Sequence, residues 1–391
     1  MRRLVTVLIL VFGLLVPSMA WAKEPATPEM TLQQAVEQAL ANSKDLKNAE
    51  YDIERGKEVR DLASDNMKEW TPSGTIVGEG AAQAAMNFTG LVQADLAWQM
   101  ARKSYNAEKD SVIMAVYQAY DRILQNQEGV RAAEAALKAA DWQNRAAFYG
   151  LKAGTISKSD FLKGDASLEG AKASLEAAKK ALEDAYQQFN QLVGLWPEDR
   201  PVLVDKPVFT PLQIDNLDYE VERAVEESPN LWLAKKQIDL AKLNLDLYDF
   251  SNPHRTEPYE AKEIDVNKAE VSATSAEEKM RQLVRTIYYN IRQLEEQYAG
   301  LEQQVKVAQE NLRVVKVKYD LGMATRQEIV AAEASLAGAQ KALLVATCQH
   351  EVLKMAFEKP WAYAAAAGSA GGSRGSSSGG QASSAFSGGG S

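Results

Sequence analysis

Hydrophobic residues in the second half of the chain recur at alternating steps of four and three. Met280, Val284, Ile287, Ile291, Leu294, Tyr298, Leu301, Val305, Ala308, Leu312, Val315 and Tyr319 form one unbroken series. Such steps define a heptad seam, so this stretch predicts a long helix that supercoils left-handedly against a neighbour. The first half keeps a seam of smaller residues at Val112, Val116, Ala119, Ile123, Val130, Ala133, Leu137, Ala140, Ala147 and Leu151, interrupted by Asn126 and Asn144. A helix from about 97 to 150 is ~80 Å long at 1.5 Å per residue. Rods of that length need lateral neighbours rather than one compact globule. No proline falls between Pro72 and Pro197 or between Pro258 and Pro360, as long helices require, since an internal proline costs ~3 kcal/mol.

The two halves repeat each other. At an offset of 185, Val36, Glu37, Ala39, Ser43, Leu46, Ala49, Ile53, Lys57 and Leu62 meet Val221, Glu222, Ala224, Ser228, Leu231, Ala234, Ile238, Lys242 and Leu247. Further on the offset is 168: Tyr120, Ile123, Gln125 and Glu128 meet Tyr288, Ile291, Gln293 and Glu296, and Ala166-Ser167-Leu168 meets Ala334-Ser335-Leu336. The first half therefore holds 17 residues more than the second, placed between its first and second helices. Each half reads as a helix, an insertion, a longer helix, a tight turn and a return helix. The expected fold is all-α dominated, with duplicated long antiparallel coiled-coil helices.

The division that follows has the first repeat at 23–196, a proline-rich linker at 197–216 containing Pro197, Pro201, Pro207 and Pro211, and the second repeat at 217–361. Residues 362–391 collapse to Gly, Ser and Ala and are expected to be disordered. At the other end Met1-Arg2-Arg3, an apolar run from Leu4 to Val16 and Ala20-Trp21-Ala22 make a secretory signal peptide over 1–22, so the mature protein is expected to begin at Lys23 and to be exported. No later stretch is expected to supply the roughly 18 to 20 apolar residues of a spanning helix.

The two tight turns share a pattern. Ser157-x-x-Asp160 and Thr325-x-x-Glu328 fit the capping box, and Gly154 and Gly322 supply the left-handed residue that stops the preceding helix. On this reading these residues serve the turns alone.

Composition narrows the chemistry. Lys and Arg number 44 against 53 Asp and Glu, a net charge of -9, which lacks the positive excess needed to neutralise nucleic-acid phosphates. The single cysteine, Cys348, has no disulfide partner, and His254 and His350 are far apart without a metal-ligand neighbour at motif spacing. No phosphate-binding loop or Gly-x-Ser-x-Gly elbow occurs, and the carboxylates are spread over helix surfaces. No cofactor and no enzymatic activity are expected.

The opening Thr31-Leu32-Gln33-Gln34-Ala35-Val36-Glu37-Gln38-Ala39-Leu40, with Asn42 and Leu46, and the segment Tyr319-Asp320-Leu321-Gly322-Met323-Ala324-Thr325, followed by Glu328, resemble the repeat start and periplasmic turn of the TolC family of outer-membrane efflux and secretion ducts. The resemblance spans nearly all of 31–358. It implies a homotrimer whose helices form a hollow periplasmic cylinder, a periplasmic adaptor and an inner-membrane pump as partners, and a place at the outer membrane or in the periplasm. It also implies a gate at the turns. Asp160 matches a gating acid, Tyr319 its tyrosine partner and Glu328 a constriction acid, while the positions of a second constriction acid and a gating arginine hold Ala331 and Ala324, with Arg326 nearby.

The barrel is where the chain departs from the family. A spanning strand needs about 9 to 11 residues. Residues 71–95 have room for one short hairpin, with Met86, Phe88, Val92, Ala94 and Leu96 alternating with polar neighbours, and 251–258 is too short for two strands. The expectation is a truncated or missing barrel, with any membrane contact made through the first insertion. The rival reading is a structural coiled-coil protein of the envelope without a barrel or a conducting lumen.

Overall fold

The computed structural model describes residues 27–69, 79–248 and 257–363, with side chains omitted at 69 and 79–85. The expected signal peptide, residues 71–78 and 251–256 of the two insertions, and the tail from 364 lie outside these residues. The first repeat comprises strand β1 (Glu29–Met30) and helices α1 (Leu32–Asn42), α2 (Lys44–Glu69), α3 (Glu79–Lys152) and α4 (Lys158–Val193). After strand β2 (Val202–Leu203), the second repeat comprises α5 (Leu217–Glu227), α6 (Pro229–Asp246), α7 (Tyr259–Asp320) and α8 (Arg326–Glu358).

The internal repeat is visible in local detail. Thr31 caps α1 in a complete capping box with Gln34. The helix expected next is broken at one serine in each repeat, Ser43 and Ser228, which have nearly identical extended backbones (φ -63, ψ 119 and φ -62, ψ 119). Their hydroxyls accept from Leu46 N and Leu231 N at 3.2 and 3.5 Å, capping α2 and α6.

The helices form a layer rather than a closed bundle. In the half nearer the turns α3 packs on α4 and on α8, and α8 packs on α7, giving the order α4, α3, α8, α7. In the other half α2 and α6 take the places of α4 and α8, packing on α3 and α7. Two staves are thus single long helices of 74 and 62 residues, and two are composite. The salt bridge of Lys138 with Glu333 and that of Asp110 with Lys359 fix α3 and α8 as antiparallel, so both turns lie at the same end.

Two cores sit at the level where the short helices enter. One gathers Ala35, Ala39, Tyr120, Ile123, Tyr186 and Phe189, and the other gathers Val221, Ala224, Leu231, Val284, Ile287 and Ile291. Ile123 and Ile291, paired by the repeat, are each fully buried. The linker is pinned over both cores. β1 and β2 pair in parallel, Tyr120 Oη accepts from Asp205 N at 3.0 Å, and Leu212 N donates to Glu295 Oε1 at 2.6 Å. Phe209 stacks on Tyr298 at 3.7 Å and leans on His350, which bonds Glu295 at 3.2 Å. His350 is thereby a core residue tying linker to helix.

Three expectations are corrected. The strand-like alternation at 86–96 is helical, because α3 begins at Glu79; the described strands are the two-residue β1 and β2, so no strand pair from the 71–95 insertion offers a membrane contact among the described residues. In the helix these alternate residues do not share a face: Met86 and Phe88 are exposed, while Ala94 is buried. The tail begins later than 362: Ala362 is buried, Trp361 Nε1 donates to Asp110 Oδ2 at 3.0 Å, and helical turn continues to 363. Finally, α8 is long and apolar enough to cross a membrane by length and composition. Its place between α3 and α7 gives it two packed faces, and 22% of its most apolar stretch is buried in one copy.

Candidate turn gate and open helical edges

Each turn is built the same way. Gly154 and Gly322 both have φ 71, in the left-handed region that favours glycine. Gly154 N donates to Leu151 O and Thr155 N to Gly150 O at 3.1 and 2.9 Å; Gly322 N donates to Tyr319 O and Met323 N to Lys318 O at 2.9 and 2.7 Å. A Cβ at either glycine would meet nothing within 4 Å, so backbone handedness, not space, calls for glycine there.

The helix starts differ in one detail. Thr325 and Glu328 form a full capping box, with Thr325 N to Glu328 Oε2 at 3.2 Å and Glu328 N to Thr325 Oγ1 at 3.3 Å. At the first turn Asp160 N donates to Ser157 Oγ at 3.1 Å, but the Asp160 carboxylate turns to accept from the Ser157 hydroxyl at 2.8 Å and from Lys163 Nζ at 3.2 Å. The Ser157 hydroxyl bond, reinforced by Lys163, holds the Asp160 carboxyl below the usual carboxylate range. Asp160 and Tyr319 make no hydrogen bond with each other in one copy of the chain. Tyr319 is 41% exposed and its hydroxyl bonds nothing among the described residues.

Asp160 starts α4 and Tyr319 ends α7, and these helices are the two outer edges of the layer. They form no packed pair with each other, so the layer stays open. On α4 a single stripe is buried, through Gly164, Leu175, Ala185 and Phe189. On α7 three apolar side chains are exposed, Val271, Tyr289 and Val307 at 70%, 62% and 68%; Val307 borders a groove shared with Ser335, Gly338 and Ala342 of α8. The three are spaced by 18 residues, five helical turns, so they line one face. Along that face they are separated by Glu278, Gln282 and Glu296, so they are single exposed apolar residues on an edge helix rather than a continuous patch.

A buried acid went unnoticed in the sequence. Asp121 lies between α3 and α8, 5% exposed, and its Oδ2 has no hydrogen-bond partner among the described residues. Burial, with Glu351 nearby, pushes its carboxyl up to about 7, while a bond with the Cys348 thiol pulls the other way. Burial and the adjacent Asp121 push the Cys348 thiol up to about 12, so it is not a reactive thiolate. The signal was there: Met114 and Asp121, one heptad apart, lie off the seam read for this helix, on a second face that the α8 neighbour covers.

Comparison with known proteins agrees with this geometry. The outer-membrane channel OprN is similar over 85% of this chain and 90% of its own, with a TM-score of 0.63 and 16% identity. The MtrE outer membrane channel of Neisseria gonorrhoeae, in its open state, gives 0.58 at 16% identity over 85% of this chain and 88% of its own. The CmeC outer membrane channel of Campylobacter jejuni gives 0.56 at 13% identity over 89% and 91%. A search of curated proteins gave no match. The chain has the fold of these TolC-like outer-membrane channels. Residues 240–351, within its second repeat, match the family described as outer membrane efflux protein.

Proposed function

We propose that copies of this chain, three by family resemblance, close into a hollow envelope duct through which an inner-membrane pump and a periplasmic adaptor expel solutes. The open layer carries this reading. A self-contained spacer would close its four staves by packing α4 on α7, whereas here both edges are left for another copy. Joined edge to edge, α4 of one copy lies beside α7 of the next. That arrangement sets Asp160 of one copy near Tyr319 of its neighbour, and a ring of such pairs at the turn end, with Glu328 alongside, would hold the mouth closed.

The helix found where strands were expected favours a second reading, a non-conducting spacer that uses the same edges. Efflux separates the two. In cells that depend on this protein, Tyr319→Phe should raise leakage of a normally excluded solute through the mouth while leaving helix content unchanged. Deletion of the protein without any change in solute accumulation would remove the duct reading.

A further inference from the structure

Beside the second-repeat short helix, the groove between α3 and α6 changes character along its length. At one level Lys236 and Asp239 pair at 2.8 Å, and the two Asp95 oxygens accept from Arg60 Nε at 2.7 Å and Gln99 Nε2 at 2.6 Å. Charge there is matched. One to two turns further along α3, a cavity of about 400 Å³ is lined by Trp98, Gln99, Arg102, Lys103, Asn106 and Trp232, within the range of about 300–1,000 Å³ usual for small-molecule sites.

In this cavity two cations have no acid. Arg102 and Lys103 form no ion pair among the described residues; the Arg102 guanidinium instead lies 5.2 Å from the Trp98 ring centroid and the Lys103 ammonium 5.8 Å from that of Trp232. Arg60 approaches Trp98 at the same 5.2 Å. The Trp98 indole Nε1 is buried and donates to nothing among the described residues. Gly56 of α2 makes this possible, since a Cβ there would stand 3.2 Å from Trp98 Cα. The lining thus combines two indole side chains and two unpaired cations.

We propose that this groove is a binding site for a planar aromatic anion, the ring lying against Trp98 and Trp232 and the acid group taken by Arg102 and Lys103. Guanidinium and ammonium donors make their strongest hydrogen bonds to anionic oxygens, and aromatic walls select a flat apolar body. Association of this kind weakens with salt. The site is made of side chains of one chain and stands whether or not the helices enclose a lumen.

The probe is 1-naphthalenesulfonate, titrated calorimetrically into the purified full chain, with naphthalene-1-methanol and inorganic phosphate as comparators. The sulfonate should bind at least about tenfold more tightly than either comparator, and the double variant Arg102→Gln/Lys103→Gln should lose about tenfold in sulfonate affinity. Both side chains are exposed, so the helical circular dichroism should be retained. Trp232→Leu should weaken the sulfonate while leaving the feeble phosphate binding as it was. Equal binding of the neutral alcohol, equal binding of phosphate, or an unchanged sulfonate affinity in the double variant would each overturn the proposal.

Discussion

Replacing Asp121 by Asn should flatten the dependence of stability on pH between 5 and 7. The Asp121 carboxyl, ordinarily near 3.8, is pushed up to about 7 in the fold because burial, with Glu351 beside it, penalises the charge. Its folded-state value lies above the unfolded one, so between these values the folded protein holds a proton that the unfolded chain has released. Stability must then fall as pH rises through this window, by up to ~1.4 kcal/mol per pH unit for one proton. A difference of roughly three units makes the total at most ~4 kcal/mol. Tyr117, Cys348 and Glu351 border the site, and the last is itself raised by burial, so the variant rather than the raw profile isolates Asp121. The assay is urea unfolding of wild type and Asp121→Asn at half-unit steps from pH 5 to 8. The gap between them should move in favour of the variant with rising pH and level off above 7. A gap that stays constant across the range would show that Asp121 is ionised in the fold, and the reasoning would fail.

Other outcomes follow from the same packing. Gly322→Ala places a Cβ on a φ of 71 and should lower stability by about 1 kcal/mol, read from the urea midpoint, while Gly300→Ala, on a helix, should not. Ile291→Ala opens a void at a fully buried position and should cost about 2 to 5 kcal/mol by the same measurement. Val271→Asp should leave the single chain folded but weaken assembly, because it puts a charge on the exposed edge of α7 proposed to meet the next copy; sedimentation would report the change in mass.

How much of this was legible beforehand depends on how many neighbours a helix has. The α7 seam was readable because one face of that helix is buried: Met280, Val284, Ile287 and Ile291 are buried in the heptad order, and burial fades towards Tyr319 at the open turn end. α3 has neighbours on two sides, so its second face, with Met114 and Asp121, did not stand out from a single period. α8, with neighbours on two sides, is apolar enough to resemble a span, whereas the strand-like alternation at the start of α3 includes Met86 and Phe88, which are exposed, and so is not a record of packing. The turns were readable because their chemistry is local, from Gly154 to Ser157 and from Gly322 to Glu328. The pairing proposed for Asp160 with Tyr319 is not local, and a single chain keeps the two on opposite edges.

End-on electron microscopy of the purified full chain tests the central claim most directly. Open layers that join α4 of one copy to α7 of the next predict ring-shaped views with a threefold repeat and an empty centre. A solid compact bundle, with α4 folded against α7 of the same chain, would contradict it.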